Sequence, residues 1–137
     1  MYRLWPLLLL ALCACAIVQA PPSAPPGKAL VYAYRRAIPI GPATVHVFDG
    51  GKDVGALSGG TYLDFIADPG PRVFRAVVAG SSSMPYGTTL DAGRTYYFLV
   101  YLLGDQLRGI PALTPMDAAS ASAQVKDLKP AGLDAPD

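Results

Sequence analysis

The one histidine of this 137-residue sequence, His46, is the natural general base from which to begin a search for chemistry. Nucleophilic catalysis needs such a base beside a Ser or Cys, with a third group to orient it. His46 lies in the middle of "ATVHVFD", and in an extended chain its flanks Val45 and Val47 point to the opposite face. A solvent-facing or edge-packed ring is therefore the expectation. The serines at 81–83 and at 120 and 122 stand in no Gly-x-Ser-x-Gly elbow and no Ser-x-x-Lys pair, and read as loop and helix surface. Zinc would need several His or Cys ligands, which are not there. Calcium would use oxygen ligands, yet "DGGKD" sets Lys52 between Asp49 and Asp53, and all ten acidic residues are Asp, with no Glu to close a loop. A turn with solvated carboxylates is expected there. No phosphate-cradling glycine motif occurs. These residues predict no enzyme, no cofactor and no metal site.

The cysteines suggest a different chemistry. "MYRLWPLLLLALCACAIV" places Arg3 ahead of an uncharged apolar run that ends at Val18. The run falls short of the roughly 20 apolar residues that span a bilayer, and Pro6 interrupts it, so export is expected rather than a permanent span. "LCAC", residues 12–15, resembles the bacterial lipoprotein signal, with Cys15 as the acceptor of lipid and Cys13 discarded with the leader. The mature domain then has no disulfide despite an even cysteine count. The alternative is cleavage after "VQA" at Ala20, disfavoured by the ring of Pro21, which would yield a secreted module. "AIVQAPPSAPPG" then reads as a stiff, extended tether. Acyl chains stabilise membrane attachment by about 0.8 kcal/mol per buried methylene, so several chains on Cys15 need no amphipathic helix beside them.

Residues that would bind a partner have to be held by the elements that follow. The formal charge is +1 with no basic or acidic run, so nucleic acid is not an expected partner. Fourteen Gly and fourteen Pro suit a turn-rich β domain. Period-two alternation rich in Val, Ile, Tyr, Phe and Thr predicts strands at "ALVYAYR", "ATVHVFD", "VGAL", "TYLDFIA", "RVFRAVV", "GTTLD" and "TYYFLVYLL". Turns follow from Asp49 with Gly50 and Gly51, from Gly59 and Gly60, and from Asp68, Pro69 and Gly70, while Gly93 is the expected left-handed residue before the longest strand. The fold class is mainly β, an antiparallel sandwich of about seven strands. A short C-terminal helix is expected, with Thr114 as cap and Pro115 at its first position, packing loosely on a sheet or a sheet edge. The organisation is a lipoprotein leader over 1–14, a lipidated Cys and tether over 15–28, a sandwich over 29–113, a helix over 114–129 and a disordered tail over 130–137. Val31, Val45, Val47, Phe74 and Phe98 are the expected core.

"ALVYAYR", "VFDGGKDVGALSGGTYLDFIADPG" and "LDAGRTYYFLV", spanning residues 29–102, resemble the bacterial envelope domain known as domain of unknown function family 2846. Asp68, Pro71 and His46 depart from that pattern. The resemblance implies a transthyretin-like or carboxypeptidase-regulatory-like sandwich, commonly behind a lipoprotein signal, and brings no catalytic residues.

Strand tyrosines are the remaining binding signal. Alternation sets Tyr97 and Tyr101 on one face of the last strand and Tyr96, Phe98 and Val100 on the other, so only one set can be core. An exposed Tyr97 and Tyr101, with Arg35 and Arg36 at a strand end, would form an amphipathic patch for a cell-wall glycan or an envelope protein. The plainer role for such tyrosines is core filler. "AIPIGP", residues 37–42, would cover one end of the sandwich or contact a partner. The function expected is a non-catalytic, lipid-anchored binding or structural module of the cell envelope facing the periplasm, with an envelope hydrolase the weaker alternative.

Overall fold

The computed structural model describes residues 23–37, 44–79, 81–104 and 109–131. The expectations for the leader, for Cys13 and Cys15, for the tether up to residue 22, for the loop after Ala37 and for the tail beyond residue 131 fall outside these residues. The last part of the expected tether is not extended: the Lys28 N–H donates to the Pro25 carbonyl in a turn, Ala24 packs against the tyrosines of the first sheet, and Lys28 pairs with Asp68.

In chain order the elements are β1 Ala29–Tyr34, β2 Val45–Asp49, β3 Lys52–Leu57, β4 Thr61–Ala67, β5 Gly70–Val78, β6 Ser81–Ser82, β7 Tyr86–Leu90, β8 Thr95–Leu103, β9 Ile110–Met116, the helix α1 Ala118–Val125, and β10 Lys129–Pro130. The protein is mainly β, with ten strands among the described residues rather than about seven. One sheet has the order β10-β4-β1-β8-β9; the other has β3-β2-β5-β6, with β7 also paired to β5. The first sheet is mixed rather than antiparallel, because β1 runs parallel to β8 and β10 parallel to β4.

The two sheets share a core. Ala29, Val31 and Phe98 of the first pack with Phe74 and Leu90 of the second, and Ala33 and Val100 pack with Val45, Val47, Leu57 and Ala76. All five residues expected in the core are at most 3% exposed. Burying each such side chain contributes roughly 1.5–3 kcal/mol. β1 is buried at every position, which fits its nearly unbroken apolar run: Ala29, Val31 and Ala33 face the second sheet, while Leu30, Tyr32 and Tyr34 face α1.

The helix starts later than expected. Ile110–Met116 pairs with β8 along its length, from Leu103 opposite Ile110 to Tyr97 opposite Met116. Without that partner β8 would be a nine-residue open edge. Pro111 and Pro115 are compatible with an edge strand, where a missing N–H can face away from the ladder. The cap is therefore Asp117, whose carboxylate accepts from the Ser120 N–H at 2.9 Å, and not Thr114. α1 packs on a sheet face rather than loosely at an edge: Ala121 is fully buried against Leu30, Tyr32, Tyr34 and Tyr97. The Tyr34 hydroxyl donates to Gln124 Oε1 at 2.8 Å, which fixes the helix over the sheet. Pro130, expected in the tail, belongs to β10.

Candidate functional site

His46 stands on the face of the second sheet that looks away from the core, 48% exposed by its side chain. Its Nδ1 lies 2.8 Å from Asp53 Oδ2, an orienting pair of the kind a general base needs. The nucleophile is missing from the pair. Val77 separates the strand of His46 from that of Ser82, since His46 is opposite Val77 and Val77 is opposite Ser82. Two strand spacings, roughly 10 Å, are too far for proton transfer. Ser83 is buried and structural: its hydroxyl accepts from the Ala76 N–H and donates to the Met84 carbonyl. Ser122 donates to the Ala119 carbonyl within α1. The described residues thus bring His46 to an Asp and to no serine.

Asp49 and Asp53 do not converge as cation ligands. Asp49 lies 3.7 Å from Arg72, while the second oxygen of Asp53 accepts from the Gly55 N–H at 3.0 Å. Among the described residues no three His, Cys or Asp side chains gather as a metal site would require.

The expected patch of Arg35, Arg36, Tyr97 and Tyr101 is not assembled on one surface. Tyr97 is 4% exposed, stacked on Tyr32 at 5.1 Å and covered by α1. Arg35 is 3% exposed, and its Nη1 donates to the Leu57 carbonyl at 3.1 Å. Burial pulls its guanidinium below the ordinary arginine value. The reason is the same for both residues: β1 is the central strand, so its end and its neighbours lie inside the molecule. Arg36 remains exposed and Tyr101 half-buried.

What sequence patterning missed is the layer between sheet and helix. Tyr32 also faces Tyr62 at 6.1 Å, so three tyrosines line this layer, with Tyr34 beside them. Burial raises the phenol pKa of Tyr32, Tyr34 and Tyr97. A groove of about 390 Å³ also opens at the side of the molecule where β3 approaches β4 and β10. Val54, Gly55 and Ala56 form one wall, and Tyr62, Leu63 and Asp64 with Pro130 and Ala131 the other. No sequence signal marks it, because one wall depends on the two-residue strand β10.

No helix among the described residues is long and apolar enough to cross a membrane. No protein-family model, curated protein or solved structure matches the chain.

Proposed function

We propose that the protein is a non-catalytic, lipid-anchored bacterial envelope module, a transthyretin-like sandwich held off the membrane by a proline-rich tether, which binds a partner or serves as a structural domain. The observation that carries this reading is "LCAC" at residues 12–15 followed by "AIVQAPPSAPPG" and then by the β domain. The His46–Asp53 dyad supports a non-catalytic role, because it sits on an open sheet face with no serine beside it among the described residues. The family resemblance over residues 29–102 agrees with an envelope location and supplies no catalytic set.

Expression with a radiolabelled fatty acid tests the anchor. Label incorporation and partition into detergent are expected for the natural chain and for Cys13→Ser, and both are lost in Cys15→Ser while the β circular dichroism signal persists. An unmodified N-terminus at Pro21 would overturn the anchor and leave a secreted module. Hydrolysis of a generic ester that vanishes in His46→Ala would overturn the non-catalytic reading.

A further inference from the structure

The outward side of β4 can be identified from its neighbours. The Gly60 and Tyr62 carbonyls accept from the N–H groups of Lys129 and Ala131 at 3.1 and 2.7 Å, whereas the Thr61 carbonyl turns inward to the Arg35 N–H at 2.9 Å. Backbone groups alternate along a strand, so the N–H and C=O of Asp64 and Ile66 point outward with those of Tyr62. β10 pairs with Thr61 and Tyr62 alone, and among the described residues no strand covers the rest of this edge. Unpaired rungs of this kind are a template for an added strand, and β10 is a two-residue instance of one already seated.

Two further features select what would add. A strand beside β4 would send the side chain next to Leu63 towards the groove, where Val54, Ala56 and Leu63 favour a small apolar group. Its other side chains would lie beside Asp64 and the 57%-exposed Ile66. Asp64 is exposed and, among the described residues, makes no ion pair, so the charge it calls for is positive. β7 is also an open edge, but "YGTTL" carries no charge and has a glycine at its second position.

We propose that residues 63–67 of β4 are the docking edge for an extended, basic segment of a protein partner, in which Lys or Arg alternates with small apolar residues. The inference rests on the binding-module reading and names the class of partner.

The test uses the full chain in detergent micelles and two capped, fluorescent pentapeptides, Lys-Val-Lys-Val-Lys and Glu-Val-Glu-Val-Glu, whose symmetric alternation suits either strand direction. The basic peptide is expected to bind saturably, at least about fivefold more tightly than the acidic one, and to protect the outward amides of Asp64 and Ile66 from hydrogen exchange. Asp64→Lys should reverse the preference. Ile66→Pro removes an outward donor without touching the ladder to β1 and should weaken the basic peptide about tenfold, with circular dichroism reporting that the fold is kept. Asp64→Lys still decides the matter if that variant misfolds. Saturable binding that protects another surface overturns the edge and leaves the binding module standing. No binding overturns the edge, and so does protection of the Asp64 and Ile66 amides in the unliganded chain that disappears on removal of residues 132–137. The anchor is read separately through Cys15→Ser, so its failure is distinguishable from that of the edge.

Discussion

Replacing Phe98 by Ala should cost about 3–5 kcal/mol, the usual range for a large core aromatic whose cavity does not fully collapse. Phe98 is 3% exposed and touches both sheets: its ring lies 5.1 Å from that of Phe74 and 5.6 Å, edge-on, from that of Tyr86, while its own strand is β8. Each aromatic pair adds about 0.5–1.5 kcal/mol beyond burial, which favours the upper half of the range. Domains of this size have only about 5–15 kcal/mol of net stability, so the change removes a large share of it. Urea unfolding followed by far-ultraviolet circular dichroism measures the loss as a fall in midpoint at constant slope. The control lies five residues along the same strand. Leu103 is 53% exposed, and Leu103→Ala should cost under about 0.5 kcal/mol. A loss below about 1 kcal/mol at Phe98, or equal losses at both positions, would refute the assignment of the two faces of β8.

Gly55 has φ +147°, a conformation other residues rarely adopt, and a Cβ there would meet Leu63 Cδ2 at 2.9 Å; Gly55→Ala should cost about 1–3 kcal/mol, whereas Gly51→Ala, with open space around it, should be neutral or slightly stabilising in the same unfolding assay. The Ser120 N–H holds the Asp117 carboxyl below the usual range, and Lys28 does the same for Asp68, so both contribute stability above the unfolded value of about 3.9 that is lost as pH falls through the folded value. Urea midpoints taken on acidification should fall less in Asp117→Asn, which keeps a capping oxygen but does not titrate, and an unchanged acid dependence would count against the cap. Tyr32, Tyr34 and Tyr97 favour the neutral phenol because they are buried, so their contribution is present below the unfolded value of about 10 and lost as pH rises through the raised folded value; absorbance titration should show a late-ionising component that is lost from Tyr32→Phe, Tyr34→Phe and Tyr97→Phe variants, and a single early transition in a folded protein would contradict the buried layer.

The elements legible in the sequence are those whose alternation is long enough to define a face. Val45 and Val47 opposed to His46, and Phe98 and Val100 opposed to Tyr97, separate correctly between the two sides of their strands. β9 was hidden by its own prolines: "IPALTPM" demotes itself by every strand rule, and only the need to cover β8 makes it a strand. β6 and β10 are two residues each and carry no periodicity at all. The burial of Tyr97 was hidden for another reason. The helix above it offers one buried residue, Ala121, and a methyl group gives a weak apolar face on paper. In three dimensions a small residue lets the helix approach closely, and the tyrosines supply the apolar area that the helix lacks. Arg35 misleads similarly, because a charge at a strand end suggests solvent, while here the Leu57 carbonyl awaits it inside.

The position of β1 gives the anchored reading a mechanical consequence. The tether would meet the domain at Ala24, which packs against the tyrosine layer, pass a turn in which the Lys28 N–H donates to the Pro25 carbonyl, and lead directly into the strand that is paired on both sides, antiparallel to β4 and parallel to β8. Its two faces are buried as well, one by the second sheet and one by the tyrosine layer under α1. Elements with this many partners open only at free energies near that of global unfolding, whereas edge strands and terminal turns open at far lower ones. On the anchored reading, a pull along the tether would load both ladders of β1 in shear, with their hydrogen bonds resisting together rather than one after another. The two-residue strand β10, at the far side of the same sheet, is the element that would yield first, since one ladder alone holds it. An anchored domain built this way would keep its point of attachment rigid and leave the proposed docking edge, residues 63–67 of β4 beside β10, on the side away from β8 and β9.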